Sequence, residues 1–250
     1  MKRTMVIAAS LTAFLAASAF GYEVVDVKNG GAIKGKIKTA AKINDPLIPI
    51  VIKAKPDPKE TEQEKATCGE HQQAGMYVLS AANEVKNVLV IVENVQKGKA
   101  APKTDLVIDN KKCYFEPVVG IAYKGANFTI KNSDPILHNT NLGILLEQNM
   151  RRTVYNLALP RKDQVITKPV RATGLHAIKC DAHEWMRAYV YAADHPYVAV
   201  TDASGNFEIK DLLPGKYHVR IWHEGFHEQT KDIDVAAGKA SDLNTTLAKK

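Results

Sequence analysis

Within the stretch IKCDAHEWMR, Cys180, His183 and Met186 stand in the order C-x-x-H-x-x-M, and His138 lies upstream in IKNSDPILHNT. A thiolate, two imidazoles and a thioether are soft or borderline donors, the set that a trigonal His₂Cys site with a long axial Met offers to electron-transfer copper. Four protein donors fill such a coordination sphere, whereas catalytic metal sites keep one position open. The chemistry implied is one-electron cycling of a single copper ion, and no enzyme activity is expected. The plain alternative reads Cys180 as half of a disulfide, His183 as a surface histidine and Met186 as a core filler.

Three features favour the metal reading. The Cys180 loop follows a strand pattern, and the loop that carries His138 follows another. The third is arithmetic, because three cysteines in an oxidising compartment leave one thiol over. With Cys180 committed to metal, Cys68 and Cys113 remain and are expected to pair.

A second motif, HEGFH at 223–227, matches the H-E-x-x-H pattern of zinc proteases, which needs a helix to bring both histidines to one face. Here it follows an alternating strand and carries Gly225 at its centre, so a strand end entering a loop is the better reading. His71, His176 and His195 lack partners at ligand spacing and read as polar or packed residues.

The elements that must hold these residues are strands. Ile33 and Ile37 in GAIKGKI, Ile48 to Ile52, Val88 to Val92, Leu106 to Ile108, Tyr114 to Val119 and the alternating Ala126, Phe128 and Ile130 are short apolar runs bounded by turn residues. Residues 53–66, KAKPDPKETEQEKA, offer no apolar face and read as an exposed loop, and QKGKAAPKT at 96–104 is a second break. The stretch 142–160 has mixed periodicity and fits either one short helix or loops crossing a sandwich edge. Beyond Pro196 come Val198 and Val200, the turn DASGN, Phe207 and Ile209, the turn LPG, then Tyr217, Val219 and Ile221.

On these residues the chain resembles the cupredoxins, the small blue copper proteins. The matching pieces are CYFEP at 113–117, GANFTIKNSD at 125–134, His138-Asn139 and the loop from Cys180 to Met186, whose close spacing is of the amicyanin, methylamine-utilisation type. The resemblance implies His138, Cys180 and His183 as equatorial ligands, Met186 as the axial one, and Asn139 as the residue that ties the two ligand loops and turns its backbone N–H to the Cys sulfur. It also implies that His183 reaches the surface through an apolar patch where partners dock, with Trp185 and Tyr189 as contributors. His176 and Ile178 depart from the aromatics that plastocyanins tend to carry before the Cys, and Trp185 inside the loop is a further departure.

Residues 198–222 look like the carboxypeptidase regulatory-like, or transthyretin-like, module, which implies a β-sandwich used as scaffold and no peptidase activity. The expected organisation is an all-β chain with a cupredoxin Greek-key β-sandwich at 104–194, an N-terminal β segment at 20–103 and a small transthyretin-like module at 195–250. GAIKGKI with Pro46 to Ile52 resembles the opening of that same module, so an alternative is one sandwich built from 30–95 plus 197–247 with the cupredoxin inserted.

The first 19 residues have the anatomy of a secretory signal peptide, with Lys2 and Arg3, an apolar run from Met5 to Ala17 and cleavage after Ala19. Loss of Lys2 and Arg3 lowers the formal charge from +7 to +5 and leaves a mildly basic periplasmic or extracellular protein with no expected nucleic-acid partner and no membrane span. The partner expected for an electron carrier is a redox protein such as a c-type cytochrome or a dehydrogenase. A copper-delivery protein and a metal-free scaffold are the competing readings.

Overall fold

The computed structural model describes residues 21–147 and 150–250, so the signal-peptide reading of residues 1–19 lies outside the described residues. Among the described residues the chain is nearly all β with one helix, and no helix there is long and apolar enough to cross a membrane.

Two sheets face each other in the middle of the chain. One orders the strands Val165–Pro169, Asn127–Asn132, Leu106–Lys111 and Tyr114–Glu116. The other orders Arg151–Leu159, His138–Leu145, Gly174–Lys179, Arg187–Ala193 and Val119–Tyr123. Their inner faces interdigitate through Ile108, Phe115, Phe128, Ile130, Leu142 and Ile178, the alternation of inward apolar and outward polar residues that packs one sheet on another.

A second pair of sheets combines the two ends of the chain. Leu89–Glu93 lies between Val198–Val200 and Gly215–Trp222, and the latter pairs with Gln229–Val235. Gly31–Thr39 pairs with Asn206–Leu212 on one side and with Ala240–Asp242 and then Thr245–Leu247 on the other. Between those last two strands the chain crosses directly over Gly35, where a Cβ would stand 2.0 Å from the Leu243 carbonyl oxygen. Glycine there is a requirement of close backbone approach.

Leu89–Glu93 reads as an unbroken apolar run because both of its faces are covered. Val90 and Val92 enter the core with Ile33, Phe207 and Ile221, while Leu89 and Ile91 pack with Val119, Ala193 and Trp222 against the other pair of sheets.

Three sequence readings need correction. The segment read as an exposed loop contains the helix Pro58–Cys68, capped by Asp57, whose side chain accepts the Lys59 N–H at 2.9 Å, and ended by Gly69 at φ +76°. It has no apolar stripe, because its buried residues are Glu64 and Cys68, and that hid it from a periodicity search. Among its described residues the stretch 142–160 lies chiefly in two antiparallel strands, His138–Leu145 and Arg151–Leu159, with a register shift between Leu142 and Gly143. Gly143 leaves the space that the Arg151 guanidinium occupies as it donates to the Asn141 side-chain oxygen at 2.8 Å and the Ala177 carbonyl at 3.2 Å. The bulge breaks the alternation that would have marked the strands. Finally, Tyr114 to Val119 is not one strand but spans a short strand, Tyr114–Glu116, and the start of another, Val119–Tyr123.

HEGFH forms no helix. His223 is buried with its Nδ1 accepting the Gly225 N–H at 3.1 Å, and His227 is exposed. Burial pushes the His223 imidazole down to about 4. A histidine buried neutral contributes fully above its unfolded value near 6.5, and the unfolded chain takes up the proton first as pH falls. Wild type is therefore expected to lose about 2–3 kcal/mol through this residue between pH 7 and pH 4.5. Urea midpoints of wild type and His223→Asn at the two pH values measure it, and an equal loss in both proteins would contradict it.

Candidate metal centre

The loop between Asn127–Asn132 and His138–Leu145 is shaped by Asn132, whose buried amide donates to the Ile136 carbonyl at 2.8 Å and the Leu159 carbonyl at 2.9 Å. Its side-chain oxygen accepts the Asp134 N–H at 3.0 Å. This fold of the loop delivers two side chains, Asp134 and then His138, the first residue of its strand. The second loop joins Gly174–Lys179 to Arg187–Ala193 and is closed by backbone bonds from the Cys180 N–H to the Met186 carbonyl at 3.3 Å and from the Met186 N–H to the His183 carbonyl at 3.0 Å.

His138, Cys180 and His183 meet there, with ligand atoms all within 4.8 Å of one another and all three side chains buried. The Cys180 Sγ lies 3.6 Å from His183 Nδ1, and the two histidine Nδ1 atoms face each other at 3.0 Å. Met186 is buried in the same core cluster as Cys180. Asn139 links the two loops, its backbone N–H donating to Cys180 Sγ at 3.3 Å and its side-chain oxygen accepting the Asp181 N–H at 3.2 Å.

Each histidine is held from behind by a carboxylate. His138 Nε2 lies 2.8 Å from Asp134 Oδ2, and His183 Nε2 lies 2.9 Å from Glu64 Oε1 on the helix. A carboxylate accepts only, so each Nε2 carries the proton, and in the neutral imidazoles each Nδ1 turns a bare lone pair toward the other and toward the sulfur. Three lone-pair donors converging in a buried space call for a positive centre between them. The donor set therefore fits a soft or borderline metal ion, with the carboxylate–histidine arrangement that orients metal ligands.

The charges respond to this packing. Burial alone would raise the Cys180 thiol, but the adjacent His138 and His183 rings and the Asn139 N–H outweigh it and bring the thiol down to about 6. Burial likewise disfavours the charged His138, yet the Asp134 carboxylate on its Nε2 and the nearby Cys180 sulfur hold it above the usual histidine range. Asp134 is held below the usual carboxylate range, because its bonds to His138 and to the Cys113 and Lys112 N–H groups overcome the cost of burial. A nearby group of Cys113, Asp134 and His138 offers no second site, since Cys113 is bonded to Cys68 with a Cα–Cα distance of 5.3 Å.

The surface implied for His183 is absent from this structure. His183 is 1% exposed and lies beneath Glu64, itself 4% exposed. Tyr189 packs edge-on against Trp222 at 4.9 Å and belongs to the core shared by the two pairs of sheets. Trp185 lies tilted against His183 with ring centroids 5.0 Å apart and lines a groove with Ile48, Pro49 and Val51. Asp134 and Glu64 are the site residues that sequence reading missed. Asp134 stands four residues before His138, and Glu64 stands four before Cys68, one helical turn from the disulfide.

Residues 186–248 match the carboxypeptidase regulatory-like domain, a span that begins within the Cys180 loop and includes Arg187–Ala193. No curated protein sequence matches the chain significantly. Among solved structures, a purple cupredoxin from Nitrosopumilus maritimus is similar over 36% of this chain and 100% of its own, at 18% identity and a TM-score of 0.30. A Cu-containing nitrite reductase from Thermus scotoductus SA-01 is similar over 38% of this chain and 24% of its own, at 14% identity and a TM-score of 0.30. The reduced Cu(I) form of an amicyanin mutant is similar over 42% of this chain and 98% of its own, at 17% identity and a TM-score of 0.30.

Proposed function

We propose that the chain is a periplasmic cupredoxin-type electron carrier in which His138, Cys180, His183 and Met186 hold one copper ion of type 1. The observation that carries this reading is the pair of histidine Nδ1 atoms 3.0 Å apart beside a buried thiol, each ring fixed from behind by a carboxylate. Copper bound by this set supplies a one-electron Cu(II)/Cu(I) couple.

The chain's own residues do the rest. Asp134 and Glu64 fix the tautomers, Asn139 donates to the sulfur, and the paired sheets hold both loops on rigid strands. A site held this firmly favours one geometry for both oxidation states. With all four donors supplied by the protein, no position is left for a substrate, which supports a carrier rather than an enzyme. The 2% exposure of Cys180 supports a resident ion over a delivery protein, which needs an accessible sulfur. The partner we propose is a redox protein such as a c-type cytochrome or a dehydrogenase.

Protein-film voltammetry of the copper-loaded protein tests the reading. The expected result is a reversible one-electron couple that persists in the presence of a Cu(I) chelator. Rapid surrender of the ion to the chelator would favour copper delivery.

A further inference from the structure

The helix Pro58–Cys68 lies on the metal centre for reasons that packing does not supply. Its buried residues are a carboxylate, Glu64, and a cysteine bonded to another part of the chain. Burying a carboxylate is costly unless it is paired and hydrogen-bonded. Glu64 has both kinds of partner, with Oε1 on His183 Nε2 at 2.9 Å and an ion pair from Oε2 to Lys55. The segment is fixed to the sandwich at its far end by the Cys68–Cys113 disulfide, and Gln72 donates to both the Cys68 and Lys112 carbonyls at 3.1 Å. Ile50 and Ile52 before the helix pack on the same core.

We propose that Glu64 is a positioning residue for the metal centre, and that the disulfide-tethered helix closes the His183 side of the site against solvent. Glu64 holds the proton on Nε2, which leaves Nδ1 bare toward the metal, and it fixes the plane of the ring. Covering that ring edge also removes the path by which water or a chelator displaces His183. The consequence is retention of the ion, since losing an outer partner of a ligating histidine typically costs about 10–100-fold in metal affinity. This inference rests on the metal reading of the site, and two measurements keep the two apart.

In the metal-free protein, long-range ¹H–¹⁵N NMR is expected to find His183 as the Nε2–H tautomer with a slowly exchanging proton. Glu64→Ala is expected to abolish the slow exchange, and Glu64→Gln, whose side-chain oxygen accepts the same bond, to keep it. In the copper-loaded protein, release to excess EDTA is expected to be at least about tenfold faster in Glu64→Ala than in wild type and close to wild type in Glu64→Gln. The double variant Cys68→Ala/Cys113→Ala is expected to release it faster too, and Glu64→Ala keeps the proposal testable if that variant does not fold. An Nδ1–H tautomer in wild type, or unchanged release from Glu64→Ala with the wild-type spectrum intact, would overturn the role of Glu64 while leaving the copper reading standing. A wild type with the Nε2–H tautomer that binds no copper would sink the copper reading and keep Glu64 as the residue that fixes the ring.

Discussion

Asp134→Ala is expected to lose about 3–5 kcal/mol of stability and about 10–100-fold in metal affinity. Asp134 is 4% exposed and accepts the Lys112 N–H at 2.7 Å, the Cys113 N–H at 3.0 Å and His138 Nε2 at 2.8 Å. Lys112 and Cys113 form the tight turn between Leu106–Lys111 and Tyr114–Glu116, and both have positive φ, 51° and 58°. Neither is the Gly or Asn that such a turn favours, so the carboxylate compensates for backbone strain by satisfying both N–H groups. Its removal orphans donors in a buried place and frees the tautomer of His138. The same turn carries Cys113, so the effect extends through the disulfide to the helix that bears Glu64. Urea unfolding and a competitive copper titration of Asp134→Ala and Asp134→Asn measure both parts. Asn retains one side-chain acceptor and is expected to fall between Ala and wild type. A stable Asp134→Ala protein with wild-type metal affinity would refute the linkage.

Cys180→Ser separates metal chemistry from folding. The change is nearly isosteric, and a serine oxygen still accepts the Asn139 N–H that now lies 3.3 Å from the sulfur. Unfolding is expected to shift by no more than about 1 kcal/mol, the size of one hydrogen bond exchanged for another. The loss of copper affinity is expected to exceed the roughly 10–100-fold that follows removal of an outer partner, because a thiolate that binds the ion directly is gone. A variant that unfolds, or one that binds copper as wild type does, would place Cys180 in the core and not at the metal.

The strands that were readable are those that obey a simple alternation. Phe128 and Ile130 point inward with polar neighbours outward, and Val219 and Ile221 do the same in their own core. The pairing of Cys68 with Cys113 was also legible, since Cys180 was the thiol left over. What escaped was carried by residues whose role depends on a distant partner. Glu64 sits on a helix with no apolar face, and its meaning comes from His183, far away in sequence. The bulge at Gly143 makes room for Arg151, which no local pattern announces. Asp134 drew no notice, because its three acceptor contacts arise only after two loops are brought together. Trp185 was legible as an unusual residue in the ligand loop, but its place beside a covered His183 was not.

The most direct test is visible absorption and EPR of the disulfide-oxidised protein after one equivalent of Cu(II). An intense thiolate-to-copper band with small parallel hyperfine splitting is the predicted result, since a buried thiol lowered to about 6 lies within reach of two histidine Nδ1 atoms. A folded protein that takes up one equivalent with no such band, or takes up none, would contradict the account.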